Sequence, residues 1–194
     1  RQKVLAGINI FGLSVGIACF SLILLYAVYE FSYDRFHLNK DRLFRVIEWN
    51  EGGAGREPGG TASMYTPVAP ALKRDFPDVE YAVRMMRFGH IVKVNNEVFK
   101  IGVTLADPDF FNMFTFPLLY GNAATALNDP HNVVLTKEKA LQLFGSTDAV
   151  GKQLSIKMDS AFVPFTVSAV AENIPDNSSV TFNILGSFAF IANH

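Results

Sequence analysis

The chain has 194 residues, 49% of them apolar, with a formal net charge of −1. No basic stripe interrupts it, so nucleic-acid binding has no support. Cys19 is the only cysteine, which leaves no disulfide and makes any globular part depend on its packed core.

Val4 to Tyr29 are 26 consecutive residues without a charge, bounded by Lys3 and Glu30. A bilayer core needs roughly 20 apolar residues of helix. At about 1.5 Å per residue the run reaches roughly 39 Å, enough to span with tilt. A buried helix of a soluble protein rarely stays uncharged for this length. A cleaved signal peptide has an apolar stretch of only about 7–15 residues. Gly16-Ile17-Ala18 before Cys19 is a poor lipoprotein site, because Gly16 stands where Leu is usual and Phe20 to Tyr26 stays apolar. Residues 4–29 therefore read as a retained transmembrane helix in the lipid bilayer. Arg1 and Lys3 precede the span, while Glu30 and Asp34 follow it. That asymmetry favours a cytoplasmic N-terminus, although Lys40, Arg42 and Arg45 dilute it. Within the span Gly12 and Gly16 form Gly-x-x-x-Gly, a candidate seam for close helix packing.

The remaining 165 residues, 30–194, carry 15 basic and 18 acidic side chains, a balance near −3. Most of the eighteen Phe lie there and imply an aromatic core. Glu30 to Arg42 reads as a helical continuation that breaks near Asn39. Leu43 to Trp49 has the spacing of a strand, and Glu51 to Gly60, rich in Gly, reads as a flexible loop. Thr66-Pro67 opens a short helix through Asp75, with the hydroxyl as its cap. Val79–Phe88, Ile91–Val94 and Val98–Leu105 read as three strands, the last two joined by a turn at Asn95-Asn96.

Asp107-Pro108 starts a helix over Phe110, Phe111 and Phe114 that Pro117 ends, and a helix N-terminus accounts for Asp107 and Asp109. Val133–Leu135 is a short strand. Thr136 caps a helix through Phe144 that stops at Gly145. Leu154–Met158 and Phe162–Glu172 form a strand pair, Ile174–Ser179 is a turn-rich break, and Val180–Ile191 is apolar again. The fold class is α+β: one N-terminal transmembrane helix followed by a mixed β-sheet domain with helices packed on it.

Chemistry is nearly absent. Gly145 to Lys152 misses a phosphate loop, since its second Gly comes one position late and Gln153 replaces the Ser or Thr. His37, His90, His131 and His194 have no metal-ligand spacing. No nucleophile elbow exists, and Asn177-Ser178-Ser179 is a sequon of the kind that arises by chance. Catalytic, cofactor-binding and metal residues are all none, no cofactor is implied, and the chain is not expected to be an enzyme.

Several blocks together carry a resemblance. Ile8-Asn9-Ile10-Phe11-Gly12-Leu13, Gly16-Ile17-Ala18 and Tyr29-Glu30-Phe31-Ser32-Tyr33-Asp34-Arg35-Phe36-His37 resemble the first transmembrane helix of MacB/FtsX-type ABC transporter permeases, most of all the versions abundant in Bacteroidetes. Asp41 to Val46 continues the likeness, with Phe44 where the family often has Tyr. So do Ala106 to Phe111, Phe114 to Gly121, Val134 to Gly145, Gly151-Lys152 and Val170 to Ser179. The resemblance implies residues 4–29 as transmembrane helix and 30–194 as a MacB-like periplasmic core domain in the bacterial inner membrane. It implies a cytoplasmic ABC ATPase subunit or domain as partner, a second permease copy, and a periplasmic or outer-membrane partner. ATP-driven motion would pass through the helices to the periplasmic domain. The sequence ends before the second helix of that family, so Ile191 to His194 is expected to be a break within the domain. A single-span sensor with an extracytoplasmic ligand-binding domain remains the alternative.

Overall fold

The computed structural model of the chain describes residues 2–53, 57–158 and 160–192. It separates into two units, Arg1–Phe36 with Pro175–Ser179, and His37–Ile174 with Val180–His194.

The first unit is built on α1, a 29-residue helix over Gln2–Glu30. Its side chains are exposed almost throughout, including Leu13, Phe20, Leu22 and Ile23. A helix that is apolar all round and not covered by protein belongs in lipid. Its backbone bonds are internal, and the Ser14 hydroxyl donates to the Ile10 carbonyl at 2.8 Å, so this polar group also needs no water. The helix does not continue toward Arg42 as expected. After Phe31 the bonds tighten to three-residue steps, Ser32 N–H to Tyr29 O and Tyr33 N–H to Glu30 O. Asp34 then takes φ +55°, a left-handed conformation that a right-handed helix cannot incorporate.

The second unit opens with one 3₁₀ turn, Lys40–Arg42. The strand expected over Leu43–Trp49 shrinks to β1, Glu48–Asn50, paired antiparallel with β2, Gly59–Thr61. Residues 43–47 have no strand partner and stay irregular. Trp49 lies opposite Gly60, where an added Cβ would meet the indole at 3.3 Å. Of the expected loop Glu51–Gly60, residues 54–56 lie outside the described residues, as do 193 and 194 of the expected terminal break. α2, Val68–Asp75, follows Pro67, which occupies the N-cap itself, so the Thr66 hydroxyl provides no cap.

Two expected strands, Val79–Phe88 and Ile91–Val94, are one: β3, Met85–Val94. The reason is its partner. β4, Glu97–Ala106, pairs with it over ten uninterrupted positions from Val94↔Glu97 to Met85↔Ala106. The turn between them is at Asn95-Asn96, with Asn95 at φ +53°. Gly89 sits opposite Gly102 and does not interrupt the ladder.

α3 is a single turn, Phe110–Met113, and β5, Leu118–Tyr120, follows it unanticipated. β6, Asn132–Thr136, leads directly into α4, Lys137–Phe144. The Thr136 side chain accepts from Lys139 N–H, and Gly145 ends the helix at φ +68°. β7, Gln153–Met158, and β8, Ala161–Ala171, form the expected antiparallel pair. β9, Ile184–Ser187, and α5, Ala189–Ala192, complete the described chain.

The large sheet runs β5-β8-β6-β9-β4-β3-β7, and β7 also pairs with β8. β8, β6, β9, β4, β3 and β7 thus close into a ring of mixed direction, parallel at β6–β8 and β4–β9 and antiparallel elsewhere. Alternate residues fill it: Val92 and Val94, Ile101, Val103 and Leu105, Leu154 and Ile156, Phe165 and Val167. α4 lies against β6 and β8 and contributes Ala140 and Leu143 to the same core. A second aromatic cluster stacks Phe110 on Phe116 at 5.6 Å, with Phe182 edge-on to both.

β8 pairs with β7, β6 and β5, and it is bulged where it runs beside β6. Register with β6 shifts between Val133 and Val134, so that Val133 faces Val167 and Val134 faces Ala169. Ser168 in the bulge donates to the carbonyls of Ala126 at 2.7 Å and Val133 at 3.1 Å. The backbone of Gly121 passes over this point at φ +93°, where an added Cβ would fall 2.5 Å from the Ser168 backbone carbonyl oxygen and 2.6 Å from the Ala169 Cβ. Gly121→Ala is therefore expected to destabilise by about 2–4 kcal/mol through strain and overlap. Gly89→Ala, with nothing within 4 Å of the new Cβ, should stay within about 0.5 kcal/mol of the parent. Chemical unfolding of the two variants in one detergent checks the contrast, and equal stabilities would refute it.

Candidate functional site

The segment 175–179, between β8 and β9 in the chain, belongs with the helix unit. Four backbone and side-chain links fasten it to the turns after α1. Asp34 N–H donates to the Asn177 carbonyl at 2.9 Å. The Asn177 amide donates to the Ser32 carbonyl at 3.1 Å and hydroxyl at 2.9 Å. Ser179 N–H donates to the Asp34 carboxylate at 2.8 Å. The left-handed conformation of Asp34 serves this geometry, since Asp tolerates it better than most residues. Tyr29 and Tyr33 add an edge-to-face contact at 5.6 Å beside it. The sequon at Asn177 is thereby accounted for: its amide nitrogen is a structural donor.

The chain passes between the two units three times, at 36/37, 174/175 and 179/180.

The other residues singled out in the sequence have structural partners. Asp109 stands at the N-cap of the one-turn α3 without a side-chain cap bond, and Asp107 precedes the turn. Asp107 binds Arg84 through Nε at 2.9 Å, Nη2 at 2.6 Å and the backbone N–H at 2.8 Å. Arg84 also lies 4.1 Å from the Phe188 ring centre. The hydrogen bonds that the Arg84 guanidinium donates to Asp107 hold it above its ordinary pKa despite its burial. Arg84 thus keeps its charge at every pH below the usual arginine range, and its share of the pair's stabilisation is lost only above it. Asp109 pairs with Lys73 at 2.9 Å.

His37 is buried between Phe114 and Phe116 and accepts from Thr115 N–H at 3.0 Å, while His90 meets the Lys157 carbonyl at 3.1 Å. His131 is half exposed beside Phe165, and His194 lies outside the described residues. Among the described residues no group of His, Cys, Asp and Glu could hold a metal ion. In the near-miss phosphate loop Gly151 N–H donates to the Val167 carbonyl, so the segment is a turn docked on β8. Gly12 and Gly16 lie one turn apart on α1, with open space around both.

One helix, Leu5–Glu30, is long and apolar enough to cross a membrane, and a closed strand ring follows it in the chain. The MacB-like periplasmic core domain profile matches residues 6–192, and the chain belongs to that family. A domain assigned to a permease protein of Porphyromonas gingivalis has 27% identity and a TM-score of 0.60, with 70% of this chain and 58% of that one covered. The chain thus spans 58% of that structure's length. The periplasmic region of MacB from Actinobacillus actinomycetemcomitans has 17% identity and a TM-score of 0.44, covering 57% of this chain and 49% of that one. The extracellular domain of the noncanonic ABC-type transporter YknZ from Gram-positive bacteria has 15% identity and a TM-score of 0.44, covering 57% and 56%. No curated protein is significantly similar in sequence.

Asp34→Ala removes the acceptor for Ser179 N–H and the side chain that favours the left-handed turn. The Asp34 and Ser179 amides should then exchange with solvent about ten-fold faster, equivalent to about 1.4 kcal/mol of local stability. Hydrogen exchange in micelles reads this directly, and unchanged protection at both amides would show that the tie is not held by this carboxylate.

Proposed function

We propose that this chain is the first membrane helix and periplasmic domain of an ABC transporter permease in the bacterial inner membrane. Residues 4–29 form the membrane segment and 30–194 the periplasmic domain, with the N-terminus in the cytoplasm. A cytoplasmic ATPase subunit or domain supplies the energy, a second permease copy pairs with this one, and the domain relays helix motion to substrate or to a periplasmic or outer-membrane partner. The observation that carries the reading is the tie between the turns after α1 and segment 175–179, which makes one mechanical body of a helix end and a loop between two strands. The chain contributes no chemistry of its own and neither binds nor hydrolyses ATP.

Spin labels on the periplasmic domains of the assembled full-length permease test the relay. Addition of ATP should change the distance between the two copies. Combining Asp34→Ala with Asn177→Ala should blunt that change while ATP hydrolysis continues. An undiminished change in the double variant would sink the mechanical reading.

Orientation is accessible through Cys19, the only cysteine. In a Cys19→Ala background, Lys100→Cys should react with a membrane-impermeant maleimide in intact cells and Lys3→Cys should not. Labelling of Lys3→Cys from outside would reverse the topology.

Gly12 and Gly16 provide the packing seam between helices in this reading. Replacing both with Leu should leave insertion intact and weaken crosslinking between helices in membranes, at about 1–2 kcal/mol per lost contact. Leu substitution at Ser21 provides the control, and equal crosslinking in both would make the glycines lipid-facing filler.

A further inference from the structure

The outward face of the β3–β4 hairpin carries a feature that the transport reading leaves unused. Residues opposite one another on this face are Arg87 with Thr104, Gly89 with Gly102, and Ile91 with Lys100. The Gly–Gly pair leaves bare backbone beside Arg87, and the segment before β9 borders it. The result is a recess of about 180 Å³ lined by Arg87, Gly102, Thr104, Thr181, Phe182 and Asn183.

Its chemistry is that of an anion site. Arg87 is the sole charged residue in the lining, and no carboxylate pairs with it among the described residues. Both bonds it makes run from Nη2 to Thr181, at 2.8 Å to the carbonyl and 2.6 Å to the hydroxyl. Nε–H and the Nη1 hydrogens are not used in these bonds. Because the Thr181 oxygen accepts from Arg87, its own O–H is directed elsewhere as a donor. Thr104, only 3% exposed, adds a second hydroxyl, and Asn183 an amide. Lys93 and Lys100 on the same face extend the positive potential over a domain that is net acidic.

We propose that this recess binds a carboxylate group. One guanidinium and neutral donors balance a monoanion, whereas a phosphate dianion would be left undercompensated. The volume is below the roughly 300 Å³ at which drug-sized pockets begin. The recess therefore takes the end of a molecule: the C-terminal residue of a peptide or a small organic acid. This site stands apart from the relay proposed above, and its test reads binding to the chain without transport.

The test uses the whole chain in detergent micelles with ¹⁵N-labelled arginine, the Arg87 Nε–H resonance being assigned by its loss in Arg87→Gln. N-acetyl-Ala-Ala with a free C-terminus should shift this resonance saturably, at about 1–10 mM for so small a contact. The corresponding amide should leave it in place. Acetate acting as strongly as the peptide would identify a small acid as the source, and a clear preference for the peptide a chain end. Gly102→Ala offers a second variant, because the new Cβ meets its nearest neighbours at an ordinary 3.8 and 4.0 Å yet occupies the recess. It should keep the parent's unfolding curve and weaken binding at least about five-fold, or about 1 kcal/mol. An absent shift, an equal shift with the amide, a stronger response to inorganic phosphate, or unaltered binding in Gly102→Ala would each overturn the site.

Discussion

The domain depends on one strand changing partners along its length. β8 gives its first half to β7 and its second to β6, with Thr166 opposite both Gln153 and Asn132. Without the bulge at Ser168 the second half would present alternate side chains one step out of phase, and a one-residue slip in a strand inverts its faces. The Ser168 hydroxyl holds two carbonyls there. Once β8 is shared, the ring closes, and the interior is filled by β-branched residues, Leu and Phe from six strands. Closure also removes long free edges, the usual liability of a sheet in a crowded compartment, and leaves the three-residue β5 at the margin.

Within the helix unit, the tie between the turns after α1 and segment 175–179 is made of different material. It consists of backbone turns, one left-handed aspartate and hydrogen bonds to a loop, with little apolar burial. Such links fix direction more than they add stability, since each is worth on the order of 1 kcal/mol.

Much of this was legible in the residues. The uncharged run before Glu30, the Thr136 cap with its Gly145 stop, the Asn95-Asn96 turn and the β7–β8 pair all follow from local rules, and the α+β class followed from them. The misreadings arose where a distant partner decides. β3 starts at Met85 because β4 ends at Ala106, and residues 43–47 are irregular for want of a strand beside them. Asp109 does stand at the start of α3, but its pairing with Lys73 and that of Asp107 with Arg84 had no local signal. The tie at Asp34 and Asn177 had no signal in spacing, being a contact between segments 145 residues apart. The Arg87 recess was likewise invisible, since it needs β3, β4 and the approach to β9 side by side.

That separation also orders events during synthesis. The helix leaves the ribosome well before the partners of Ser32 and Asp34, which are encoded near residue 177. At roughly 5–20 residues per second, they follow about 7–30 s later. Through that interval the helix end has no loop to hold, and five of the six ring strands, all but β9, emerge before the tie can close. The hydrogen bonds of Ser32 and Asp34 to segment 175–179 therefore form after β8 has been made, with β9 of the described ring still to come.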